Sequence, residues 1–143
     1  MSEKVVARFN DGKVLKGYLK DFSINKEVVI LQEAEKKKKH TISIEDIKAI
    51  FFVKSFEGDS EYRERKAYGI RKSTGRKIYV KFKDGESMIG FIEGELPWKK
   101  GFFMRSKQDE EKKGFFMIPT DSDSNNIKIF IIGSSVRDIT SMP

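Results

Sequence analysis

The chain contains no cysteine and a single histidine, His40. The first absence excludes disulfides, thiolate metal sites and cysteine nucleophiles. The second leaves no imidazole cluster for zinc and no histidine-based catalytic triad. No apolar run approaches the roughly 18 residues that a membrane-spanning helix requires, and no positively charged leader with an apolar core opens the sequence. These absences predict a soluble, cytoplasmic protein without a membrane partner. No motif gathers acids, bases or a nucleophile into one place, so the sequence predicts no enzyme, no catalytic residue, no metal and no cofactor.

What is present is a chain of 143 residues with 38% hydrophobic and 36% charged side chains, which fits a globular protein with a modest core rather than a disordered one. The net charge of +7 points towards polyanions. Its distribution is uneven: residues 1–54 carry 12 basic and 8 acidic side chains, residues 55–77 carry 7 and 4, and the remainder 10 and 10. The positive excess therefore belongs to the first part and the middle.

An internal repeat organises the sequence. VVARFNDGKVLKGYL (residues 5–19) aligns with IYVKFKDGESMIGFI (residues 78–92), placing Phe9 on Phe82, Asp11-Gly12 on Asp84-Gly85, Gly17 on Gly90 and Leu19 on Ile92. Each copy reads as a strand of period two, an Asp-Gly turn and a second strand, a strong hairpin signal. Gly17 and Gly90 stand mid-strand, where glycine marks a bend or a close backbone approach. The likeness resumes in HTISIEDIKAIFFV (residues 40–53) and NIKIFIIGSSVRDIT (residues 126–140). Between these anchors, EVVILQE in the first copy and GFFMRSK in the second read as a further strand. Each copy thus offers about five strands, enough for a small barrel. The prediction is an all-β protein: a first barrel over 1–54, a basic linker over 55–77 and a second barrel over 78–143. KKGFFM occurs twice, at 99–104 and 112–117; with Asp109-Glu110-Glu111 between them, the two read as strands of one hairpin with facing Phe and Met side chains.

These residues resemble the Sm-like family of five-stranded barrels. The first half of that family's signature is visible at Phe9 to Leu19 and again at Phe82 to Ile92, and Ile131-Ile132-Gly133-Ser134-Ser135-Val136 follows the frame of the second half. The resemblance implies Sm-like or SH3-like barrels able to associate edge to edge. RNA-binding members use a loop Asn and an Arg, and here Glu27 and Ile132 stand nearest those places, while Ile44-Glu45-Asp46 replaces the Arg-Gly element of the first copy. The resemblance therefore does not carry a uridine pocket. The combination of SFEGDSEY, GFF and DSDSNNIKIF also resembles an uncharacterised bacterial family.

Two candidate surfaces remain. Arg63, Arg65, Lys66, Arg71, Lys72, Arg76 and Lys77, interleaved with Tyr62 and Tyr68, combine phosphate neutralisers with stacking rings. Glu57, Asp59, Glu61 and Glu64 lie among them and offset part of that charge. The basic tip Lys36–Lys39 reads first as a solvated turn that discourages edge pairing. Asp121 to Asn125 begins like a calcium loop but lacks the glycine and the final acid, and so reads as a turn. In the run Ile127 to Ile132 apolar side chains fall on both faces, which requires cover twice, from the sister barrel, the linker or another molecule. Phe51, Phe52, Phe91, Trp98, Phe130 and Ile132 are the expected protein-interface residues. The function read from the sequence is a non-catalytic binding or adaptor module that recognises a protein partner or itself through barrel edges and aromatic faces. The alternative is RNA or DNA binding of low specificity through the linker and the first barrel.

Overall fold

The computed structural model describes residues 3–23, 26–56, 76–92, 98–99, 102–103, 114–120 and 125–141. All regular structure among them is β apart from two single 3-10 turns. The strands are β1 (Glu3–Phe9), β2 (Val14–Asp21), β3 (Val28–Glu33), β4 (Lys39–Ser43), β5 (Ile47–Val53), β6 (Arg76–Phe82), β7 (Ser87–Ile92), β8 (Trp98–Lys99), β9 (Phe102–Phe103), β10 (Gly114–Pro119), β11 (Asn126–Ile132) and β12 (Val136–Ser141). The 3-10 turns, Ile44–Asp46 and Gly133–Ser135, stand before β5 and β12.

The described strands do not show two separate barrels over 1–54 and 78–143, and most of the expected linker lies outside the described residues. Ten strands make one open antiparallel sheet in the order β12-β6-β7-β10-β11-β5-β1-β2-β3-β4, with β8 and β9 as a separate two-stranded ladder. The repeat nevertheless governs this order. Counted along the chain, the first half runs fifth-first-second-third-fourth from β5 to β4. The second half gives the same succession from β12 to β11 when the short β8 and β9 are set aside.

Local chemistry explains why both halves start alike. Gly12 and Gly85 hold φ of +92° and +95°, the left-handed backbone that an Asp-Gly turn needs. In each turn the aspartate accepts a bond from the backbone N–H two residues on, Lys13 to Asp11 and Glu86 to Asp84, both at 2.9 Å. The mid-strand glycines are also matched. A Cβ at Gly17 would fall against the Gln32 carbonyl oxygen, and one at Gly90 would lie 2.7 Å from that of Ile118. A side chain there would push the neighbouring strand away.

The third-strand position corrects one sequence expectation. Gly17 pairs with Glu33 and Gly90 pairs with Pro119, so the counterpart of VVILQE is GFFMIP in β10, not GFFMRSK. The two KKGFFM copies do not face each other in the described ladders. Phe102-Phe103 pairs with Trp98-Lys99, whereas β10 pairs with β7 and β11. In the second copy Gly114 lies where a Cβ would strike the Ile131 carbonyl of β11.

Burial separates two cores on opposite faces of the central strands. One gathers Val29, Leu31 and Ile42 with Ile47, Ile50 and Phe52, and takes in Phe130 and Ile132 from β11. The other gathers Ile78, Val80, Phe82, Met117 and Ile139 with Ile129 and Ile131, and takes in Ala49, Phe51 and Val53 from β5. In a flat sheet β4 would stand about 19 Å from β5, four spacings of ~4.8 Å. Their side chains share one core, so the half-sheet curls over its own interior. The second half curls in the same way over the opposite face, bringing β12 side chains to those of β11.

Candidate functional site

The first place with functional meaning is the junction where the halves meet. β11 adds to β5 with Ile129 opposite Phe51, Phe130 opposite Ile50 and Ile131 opposite Ala49. All seven residues of β5 are buried, because alternate side chains enter alternate cores. This supplies double cover for Ile129 to Ile132 of the apolar run, and it comes from the sister half, while Ile127 stays exposed. Phe130 is fully buried, with its ring 4.9 Å from that of Phe22 and 5.0 Å from that of Phe116.

Polar staples close both ends of the junction. At one end the Asn125 side chain donates to the Ser55 carbonyl at 3.0 Å and accepts from the Ser55 N–H at 3.1 Å, while Lys54 N–H donates to the Asn125 carbonyl at 2.9 Å. At the other end stands Lys48, an extra residue bulged out of the β5–β1 ladder between the partners of Arg8 and Phe9. Its side chain is only 5% exposed. The ammonium lies 2.7 Å from Asp84 and 2.9 Å from Glu86, on the turn of the second half, and 4.7 Å from the centre of the Phe82 ring. A buried cation needs such partners to offset the loss of water. Arg8 adds two further bonds to Glu86 at 3.2 and 3.4 Å. The hydrogen bond from Lys48, then that from the Glu86 N–H, holds the Asp84 carboxyl below its ordinary pKa. Ser135 completes this end, its single hydroxyl proton shared between the carbonyls of Lys48 and Ile132 at 2.9 and 2.7 Å.

The second place is the pair of free edges. Among the described residues β4 pairs only with β3, and β12 only with β6. Glu33 N–H donates to the Lys38 carbonyl and Ile44 N–H to the Glu27 carbonyl, at opposite ends of the β3–β4 ladder. By the alternation of an antiparallel pair, His40 and Ile42 turn their backbone groups towards β3. Lys39, Thr41 and Ser43 therefore turn theirs outward. Near this edge His40 Nε2 lies 3.3 Å from Glu33.

Several sequence expectations change here. Phe51, Phe52, Phe130 and Ile132 are buried, at 8%, 3%, 0% and 1% exposure, and offer no open aromatic face. The reason is that β5 and β11 pack on both sides. Phe91 is half-buried on β7, and Trp98 lies in β8 opposite Phe103. Of the basic candidates, Arg76 and Lys77 are the first residues of β6, not linker, pairing with Ile92 and Phe91. Arg63, Arg65, Lys66, Arg71, Lys72, Tyr62 and Tyr68 lie outside the described residues. Sequence reasoning missed Lys48, Arg8, Glu86, Ser135 and the Asn125–Ser55 pair. The one available signal was a lysine inside the apolar run IKAIFFV, which has to find a buried partner.

Among the described residues no group of three or more His, Asp or Glu side chains is placed to hold a metal ion, and no helix is long and apolar enough to cross a membrane. No curated protein and no solved structure matches the chain. Residues 1–142 match a family described as a family of unknown function (DUF6982), and the chain belongs to that family.

Proposed function

We propose, since membership of that family fixes no activity, that the protein is a non-catalytic binding module that takes up extended polypeptide at its two free strand edges. The observation that supports this is the junction itself. β11, a fourth-position strand, adds edge to edge onto β5, a fifth-position strand. The strands left over are β4 and β12, again a fourth and a fifth. Each curled half then acts as a small Sm-like or SH3-like barrel unit, and the chain presents one edge of each kind. Strand addition needs only the outward N–H and C=O groups, which at β4 belong to Lys39, Thr41 and Ser43. A second copy is one partner that fits, with β12 of one molecule on β4 of the next, a heterologous contact that grows into a ring or a filament. The absence of cysteine agrees with a cytoplasmic setting.

Light scattering behind size exclusion, from micromolar to millimolar protein, tests this reading. The expected result is a mass that rises with concentration and stays monomeric for Thr41→Pro, which removes one outward donor and no ladder bond. A strictly monomeric wild type that also fails to capture extended peptides at β4 or β12 contradicts it.

One observation favours nucleic acid as a second reading. Lys36, Lys37, Lys38 and Lys39 are all exposed, and none is ion-paired among the described residues. Binding of labelled single-stranded RNA that weakens steeply with salt and is lost on neutralising these lysines would support it. Salt-independent behaviour would remove it.

A further inference from the structure

The mouths of the two cores differ, and the difference points to a binding pocket. Registers identify matching positions: Glu33 matches Pro119, because each pairs with the mid-strand glycine. His40 matches Ile129, because they pair with the matching residues Leu31 and Met117. In the first half the His40–Glu33 pair occupies this place. In the second half the same place holds Pro119 and Ile129, and a cavity of about 330 Å³ opens beside them.

The chemistry of that cavity is specific enough to name an occupant. Its floor is apolar, made by Phe51, Met117 and Ile129 with Met88 and Ile89 beside them. At its rim Arg8 and Glu86 are already bonded to each other, so no unmatched charge calls for a charged ligand. The volume is at the small end of ligand pockets, suited to one large side chain rather than to a bulky cofactor. A row of backbone groups runs along it. β7 is paired with β6 from Ser87 to Ile92, but on its other side β10 meets only Gly90 and Phe91. By the alternation of an antiparallel pair Met88 turns its backbone groups to β6, so Ser87 and Ile89 turn theirs to a side without a strand partner among the described residues, and all three residues line the cavity.

We propose that this cavity is an anchor site for one neutral, large apolar side chain, aromatic or branched aliphatic, of an extended peptide whose backbone bonds along Ser87–Ile89. Recognition that joins main-chain bonds to a side-chain pocket is the mode of strand-adding peptide sites. The proposal rests on the reading of the protein as a polypeptide binder but uses a surface separate from β4 and β12, so the two can fail independently. Met88 and Met117 report on it directly, in a chain with five methionines.

The experiment is a titration of methyl-labelled methionine and amide-labelled protein with N-acetyl-phenylalanine methylamide and N-acetyl-leucine methylamide. The glycine analogue and benzene serve as controls. Expected are saturable shifts of the Met88 and Met117 methyls in the millimolar range, with downfield movement of the Ser87 and Ile89 amides, absent with the glycine analogue. Benzene should move the methyls and leave the amides. Ser87→Trp at the exposed rim and Ile89→Phe at the wall should each weaken the response at least tenfold. Silence of Met88 and Met117 towards both capped residues overturns the proposal. So does an unchanged response in both variants, or a response to benzene that reproduces that of the capped residues. Loss of concentration-dependent mass would instead count against the free-edge reading alone.

Discussion

The β11–β5 junction and the outer edges β4 and β12 are matching positions of one repeated strand order, yet they are built with opposite chemistry. At the junction both faces are apolar, with Ile50, Phe51, Ile129 and Phe130 buried. At the edges only one face is: Ile42 and Ile139 point inward, while Lys39, Thr41, Asp138 and Thr140 are exposed. The staples differ too. Lys48 and Arg137 occupy matching bulges, but Lys48 is buried against two acids and Arg137 is exposed. The turn residue that matches Glu86 is Lys13, of opposite charge. The comparison teaches that one edge type can be fixed by double burial and matched charge, or left open by removing both. On the proposed reading, association at the outer edges would rely mainly on backbone bonds and be weak and reversible.

The largest effect should come from the junction's central ring. Phe130→Ala is expected to cost about 3–5 kcal/mol of unfolding free energy in urea. Thr140→Ala, on the outer edge, should stay within about 0.5 kcal/mol. Equal costs would mean that the two places are not built differently. Next come the bulged cations. Lys48→Met leaves Asp84 and Glu86 without their shared partner and should cost about 2 kcal/mol, less than a fully buried pair because both acids are half exposed. Arg137→Met should lie within about 0.5 kcal/mol. Smaller still is Asn125→Ala, at about 1 kcal/mol for the exchange with Ser55.

Acid should act on the same staple. Asp84 has its pKa lowered on folding, so it contributes stability that is complete above its unfolded value near 3.8 and is lost as pH falls through the lower folded value. Denaturation midpoints followed downward from pH 5 should drop more for wild type than for Lys48→Met. Parallel curves would exclude Lys48 as the cause. Thr41→Pro is expected to change stability by no more than about 1 kcal/mol, because it removes no ladder bond. Its effect should appear in association alone.

Much of each half was legible in the sequence, because local chemistry dictates it. Asp11-Gly12 and Asp84-Gly85 name the turns, alternating apolar residues name the strands, and Gly17 and Gly90 name the places where a neighbouring strand comes close. The assembly of the halves was less legible. Antiparallel pairing of β11 with β5 joins residues far apart in the chain, and no local pattern records which strand will be the neighbour. The signal that existed was double-sided burial, noticed in Ile127 to Ile132 but not in IKAIFFV. Phe51, Phe52 and Phe130 looked like an interface for another molecule, and the other half of the same chain uses them instead. The doubled KKGFFM misled for a similar reason. Two identical stretches have equal strand propensity, so the six shared letters cannot say which of them enters the sheet.

The most direct test of two like edge pairs, one locked and one open, is residue-resolved amide exchange measured at low and high protein concentration. The account predicts slow exchange at Ile50 and Phe130 throughout, with Thr41 and Ser43 exchanging fast in dilute solution and becoming protected as concentration rises. Thr41 and Ser43 already protected in dilute solution, or still fast at millimolar protein with peptide strands added, would contradict it.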